Sequence, residues 1–164
     1  MVTPVLRQFG SLTLAACLMG LLAPLALGGT QETKAKDVYP APELASTDLK
    51  AALAKAAQLH KRVILDFGGN WCGDCVALDK YFHQEPNASL LKASFILVDI
   101  NIGQFDRNAD IAKTYGVPLE KGVPALAVLD SDGHTLYSQK NGEFEAMRTL
   151  SPSAVTNFLN HWKG

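Results

Sequence analysis

Val63-Ile64-Leu65-Asp66-Phe67-Gly68-Gly69-Asn70-Trp71-Cys72-Gly73-Asp74-Cys75-Val76-Ala77-Leu78 changes pattern three times in one short stretch. Val63 to Phe67 is a nearly continuous apolar run of strand length, the pattern of a central strand buried on both faces. Gly68 and Gly69 break that run. Beyond the cysteines, Val76, Ala77, Leu78, Tyr81 and Phe82 recur at helical spacing, which predicts a helix starting at the motif. Cys72 is therefore expected at the exposed start of that helix, with Cys75 one turn further in.

Two thiols at a strand-to-helix junction have a clear chemical use. The thiolate is the reactive form, and a helix N-terminus offers it free N–H groups and partial positive charge. Cys72 is expected to attack, and Cys75 to resolve the mixed disulfide by exchange. A purely structural bridge over so short a loop would contribute only about 2 kcal/mol by loop closure. Tetrahedral zinc needs four ligands, and the chain has no second cysteine pair; His60, His83, His134 and His161 are scattered. Presentation of the two soft thiolates to copper(I) is the alternative use, although the motif holds no His or Met.

Outward from the motif, the segments alternate. Ser46 or Thr47 is expected to cap a helix with Leu49, Ala52, Leu53 and Ala56 on one face. Asn87 is read as a cap before Leu90-Leu91, although Asn87-Ala88-Ser89 also matches a glycosylation acceptor. Phe95 to Ile100 reads as a second buried strand, and Asn108 as the cap of a brief helix ending at Gly116 and Pro118. Ala125 to Leu129, the turn residues Asp130 to Gly133, and Thr135 to Tyr137 predict a hairpin. Ser151-Pro152 opens a last helix with Val155, Phe158, Leu159 and Trp162 as its buried stripe. The order α-β-α-β-α-β-β-α implies an α/β domain: a mixed central sheet with helices on both faces and a C-terminal hairpin and helix. Ile102 to Asn108 and Lys140 to Thr149 read as surface loops.

The N-terminus differs in character. Arg7, an apolar run from Phe9 to Leu27, and small residues up to Gly28 predict a secretory signal over residues 1–28. An uncleaved membrane anchor is the alternative. A lipidated Cys17 is disfavoured because the apolar run continues past it. Residues 29–45, with Pro40 and Pro42, read as a polar linker, leaving 46–164 as the domain. Removing the signal leaves Cys72 and Cys75 as the only cysteines, so no disulfide framework is expected to hold the fold. With 15 basic and 16 acidic residues, the chain has no field suited to nucleic acid.

Asp66 to Cys75 resembles the active-site segment of the thioredoxin family, and Lys121-Gly122-Val123-Pro124-Ala125 resembles its second signature. The resemblance spans Thr47 to Lys163 and implies a thioredoxin fold and thiol–disulfide oxidoreductase activity without a bound cofactor, the Cys72–Cys75 disulfide storing the electrons. It implies that Asp66 is a buried acid accepting the Cys75 proton, and that Trp71 packs beside the motif. Pro124 would form a cis peptide facing the disulfide, and the Val123 backbone would pair with an extended substrate. Asp74 stands where the family commonly has proline, and Val76 where it commonly has lysine. Gly73 and Asp74 are thus expected to tune the redox pair, the Asp74 carboxylate disfavouring the Cys72 thiolate and favouring reduction or isomerisation over net oxidation. The expected partners are protein thiol and disulfide substrates and a membrane thiol–disulfide electron donor, for a monomer exported to the bacterial periplasm.

Overall fold

The apolar run before the glycines does become the centre of a sheet. In the computed structural model, which describes residues 37–164, β1 (Arg62–Gly68) lies between β2 (Phe95–Asn101) and β3 (Ala125–Leu129), with β4 (Thr135–Ser138) outermost. β1 pairs with β2 in parallel and with β3 antiparallel, and β3 pairs antiparallel with β4. A strand hydrogen-bonded on both edges and covered on both faces has no wet side, which explains its lack of apolar–polar alternation. β2, expected to be buried, instead lies at the sheet edge with Ile96 and Leu97 half-buried, because it pairs on one side only.

Among the described residues, five helices cover the sheet: α1 (Ala45–Leu59), α2 (Gly73–Phe82), α3 (Asn87–Ser94), α4 (Ala109–Thr114) and α5 (Pro152–Trp162). Val63, Leu65 and Phe67 pack with Leu49, Ala52 and Ala56 of α1 and with Ile111 and Ala112 of α4. Ile64 points the other way, toward Leu78 and Phe82 of α2 and Val155, Phe158 and Leu159 of α5. The period of two along β1 thus serves two separate cores.

The helix starts differ in detail from expectation. Ser151 caps α5 through the Ser153 N–H, with Pro152 at the first position. α1 is entered from a 3-10 turn at Pro42–Leu44, so the chain is already helical at Ala45 and neither Ser46 nor Thr47 caps it. Asn87 is the first residue of α3, with Pro86 at the cap position. Its buried amide donates to the Tyr81 carbonyl and accepts from the Thr156 hydroxyl, tying α2 to α5. Asn108 precedes α4 but turns its amide to the Pro42 and Asn101 carbonyls.

Two boundary readings are corrected. Tyr39, in the stretch expected to be a linker, is buried in the core, because an aromatic side chain able to reach Asp66 gains more from packing than from water. The 140–149 loop is likewise anchored, by buried Phe144 and Met147 against the α5 side of the sheet. The expected signal or anchor, residues 1–28, and the start of the linker lie outside the described residues.

Candidate active site

Cys72 is the cap residue of α2, in extended conformation, and its sulfur accepts the Cys75 N–H at 3.1 Å. The strand ends at Gly68, the chain turns through a Cys72 N–H to Gly69 carbonyl bond, and the helix begins at Gly73. Both cysteines are joined as a disulfide with Cα atoms 5.2 Å apart. Cys72 keeps 7% of its surface exposed and Cys75 none, so the two sulfurs are inequivalent in reach. An outside nucleophile or electrophile meets Cys72 first.

The Val123–Pro124 peptide is cis and lies against the pair, with the Val123 carbonyl oxygen 3.6 Å from Cys72 Sγ. What holds this segment is Gln139, a buried amide just past β4. Its Oε1 accepts the Leu126 N–H and its Nε2 donates to the Pro124 carbonyl, each at 3.2 Å. A proline cannot donate to a ladder, and Gln139 takes over the strand pairing where the ladder stops. Among the described residues, no main-chain bond uses the Val123 N–H or carbonyl.

Asp66 is fully buried on β1 and directly opposite Asp99 on β2. The Tyr39 hydroxyl donates to Asp66 Oδ2 at 2.9 Å, while Oδ1 of Asp66 and Oδ1 of Asp99 have no partner among the described residues. Burial, with the Asp99 charge second, pushes the Asp66 carboxyl well above the usual carboxylate range. Asp99 is pushed up to about 7, by burial first and then by Asp79, with His83 acting in the opposite sense. Burial also raises the Tyr39 hydroxyl, which stays a donor. Gly68 is where these groups converge: a β-carbon there would lie 2.5 Å from the Tyr39 oxygen and 2.8 Å from Cys75 Sγ. Only glycine permits that approach.

Trp71, expected to pack beside the motif, is 47% exposed. Its indole N–H donates to the Gly103 carbonyl at 2.6 Å, and its ring packs at a tilt against Phe105, itself 48% exposed, with centroids 5.6 Å apart. The 102–108 loop therefore forms an aromatic rim beside the cysteines. On the helix side, Asp74 is paired with Arg148 of the last loop. That guanidinium holds the Asp74 carboxyl below the usual range.

All eight residues singled out from the sequence, Asp66, Trp71, Cys72, Gly73, Asp74, Cys75, Val123 and Pro124, meet at this end of the sheet. Tyr39, Asp99, Phe105 and Arg148 were not foreseen. Asp99 had a signal: Val98-Asp99-Ile100 sets one acid in an apolar strand, as Leu65-Asp66-Phe67 does. The other three carry no local mark.

A thioredoxin-like family model matches residues 44–131. The solved structure of a disulphide isomerase from Xylella fastidiosa Temecula1 is 39% identical, with a TM-score of 0.70, over 75% of this chain and 95% of that one. The thiol:disulfide interchange protein DsbD of Pectobacterium atrosepticum is 26% identical over 134 residues, 80% of this chain, although the chain spans only 20% of that protein's length. An H-type thioredoxin of Chlamydomonas reinhardtii is 33% identical over 67 residues, 41% of this chain and 55% of that one. A match over more than half the chain, a solved relative covered almost end to end and the bonded Cys72–Cys75 pair lead to one conclusion: the chain belongs to the thioredoxin-like family and is a thiol–disulfide oxidoreductase.

Proposed function

We propose that this protein exchanges disulfides with protein substrates outside the cytoplasm, as a reductase or isomerase rather than a net oxidant. The observation that carries the reading is the inequivalent pair: a Cys72 sulfur at the helix start, beside the unpaired Val123 backbone, with Cys75 sealed behind it. An extended substrate segment would add as a strand along Val123, bringing its own sulfur to Cys72. The named relatives, a disulphide isomerase and a thiol:disulfide interchange protein, support disulfide exchange, and the exported location rests on the basic start and apolar run read in residues 1–28. Asp74 alone does not set the direction of exchange, because Arg148 offsets its charge.

In the reducing direction the Cys72 thiolate attacks one sulfur of a substrate disulfide. The substrate S–S bond breaks, a Cys72–substrate bond forms, and the departing substrate thiolate takes a proton. Cys75 then loses its proton to Asp66 and attacks Cys72 Sγ. That step expels the second substrate sulfur as a thiolate, which takes a proton from water, and leaves the Cys72–Cys75 disulfide, so the substrate has gained two electrons and two protons. Isomerisation stops earlier: another substrate thiolate attacks the mixed disulfide and Cys72 returns to thiolate, with no net electron transfer. A membrane dithiol donor regenerates the reduced pair after net reduction.

Asp66 and Asp99 suit the proton step. Two carboxylates facing each other on adjacent strands, Asp66 buried and Asp99 half-buried, do not ionise together cheaply, and the Asp99 charge adds to burial in raising the Asp66 carboxyl. The raised Asp66 carboxyl therefore binds a proton from Cys75 with an affinity closer to that of a thiol than an exposed aspartate has. No bound cofactor is required, since the sulfurs hold the electrons, and the protein acts as a monomer.

Replacing Cys75 with Ala tests the reading. The variant should accumulate proteins covalently held on Cys72, and cells lacking the protein should hold those same proteins oxidised or mispaired. No captured protein, or captured proteins found more reduced in its absence, would sink it.

A further inference from the structure

Asp74 occupies the first turn of α2, two residues after Cys72, where an unpaired carboxylate would oppose a thiolate at the helix start. The fold gives that carboxylate a dedicated partner from a distant part of the chain. The Arg148 backbone N–H donates to Asp74 Oδ1 at 2.8 Å, and its Nη2 donates to Oδ2 at 2.9 Å. Arg148 belongs to a 3-10 turn, Met147–Thr149, whose Met147 is fully buried, so the donor is held in place rather than waving in solvent. The guanidinium also lies over the residue next to Cys72: a β-carbon on Gly73 would sit 3.4 Å from its Cζ and Nη1. Two-point pairing of this kind fixes both charges in space, which a single surface contact does not do.

We propose that Arg148 is a positioning residue that sets the charge felt by the Cys72 sulfur, cancelling Asp74 and clamping the last loop onto the start of α2. The inference rests on the reading of Cys72 as the attacking thiolate and adds a specific determinant of its acidity. Other charged groups near this end are Glu145, whose carboxylate lies against Gly122 and Gly142, and the buried Asp66 beneath Cys75 with its neighbour Asp99. None of these changes in the variants below.

The test is a charge cycle read on Cys72 itself. In the Cys75→Ala background, the pH dependence of iodoacetamide alkylation gives the Cys72 pKa. Arg148→Gln keeps the backbone N–H to Asp74 but removes the cation, and should raise that pKa by roughly half a unit, as expected for one charge near a solvated surface. Asp74→Asn should lower it by about as much, and the double variant should return close to the parent. Arg148→Lys should stay near the parent, because it keeps the charge. High salt should shrink both single shifts, since Arg148 is exposed. In the intact dithiol protein, equilibrated with glutathione, Arg148→Gln should be more reducing and Asp74→Asn more oxidising. Single shifts of the same sign, a double variant displaced from the parent by as much as either single variant, or no shift in either would overturn the proposal. A merely structural clamp would not produce opposite shifts that cancel. If Arg148→Gln does not fold, Asp74→Asn and Arg148→Lys still carry the test: the first must lower the pKa and the second must leave it. Failure of the cycle with disulfide exchange intact overturns this inference alone. A wild-type protein that cannot reduce oxidised glutathione or a protein disulfide overturns the functional reading instead, while the alkylation cycle remains readable.

Discussion

Asp66 is a carboxylate with one hydrogen bond, from Tyr39, and one oxygen without a partner. Its proposed work is confined to the step in which Cys75 loses a proton. Asp66→Asn should therefore slow release of a preformed mixed disulfide from Cys72 by roughly 100-fold, the usual worth of a positioned base, while the first attack by Cys72 changes little. Stopped-flow measurement of the two steps separates them, and equal slowing of both would remove Asp66 from the proton path. Tyr39→Phe keeps the ring and deletes the only donor to the Asp66 carboxylate among the described residues. A lost bond to the charged form raises an acid further, so the pH profile of the resolving step should move to higher pH. An unmoved profile would show that the hydroxyl only packs.

At the scale of elements, the second signature is held by a side chain, not by a ladder. Gln139→Leu would leave the Leu126 N–H and the Pro124 carbonyl buried without partners, at a cost of about 2–4 kcal/mol. A fall of that size in urea stability should come with weaker binding of extended peptides at Val123; a loss below half a kcal/mol would remove Gln139 from this role. Much of the element order was legible in the sequence because it follows from local periodicity: the run at Val63 to Phe67, the stripe Val155, Phe158, Leu159, and the Ser151-Pro152 start each state their own environment. The unforeseen parts depend on partners far along the chain. Asp74 meets Arg148 across 74 positions, Tyr39 meets Asp66 across 27, and Trp71 meets Gly103 across 32. No pattern in residues 140–149 or 29–45 announces such pairings, so these stretches read as loop and linker. Asn87 failed as a cap for the same reason: its amide is used by Tyr81 and Thr156 on neighbouring helices.

For the whole molecule, the acid pair governs how stability depends on pH. Asp99 has a folded pKa of about 7, above its value of 3.8 in an open chain, and Asp66 is shifted in the same direction. A raised acid favours the folded state fully below the open-chain value, and that contribution is lost as pH rises through the folded value. Stability should thus fall between about pH 4 and pH 8 on this account, opposite to the trend set by paired surface carboxylates such as Asp74. Asp99→Asn should be more stable than wild type at pH 8 by roughly 2–4 kcal/mol, with the gain shrinking toward pH 4. Urea unfolding at the two pH values measures this. A gain equal at both would mean that ionisation of Asp99 is not its source.

The burial of Tyr39 has a practical corollary for anyone shortening the protein. A version beginning at Ser46 keeps every strand of the sheet, yet it loses the Pro42–Leu44 turn that opens α1, deletes an aromatic plug and strips Asp66 of its single donor among the described residues. Such a truncate should express with a loosened redox end and a softer thermal transition than one beginning at residue 37. The smallest autonomous unit is set by a phenol, not by the first periodic helix.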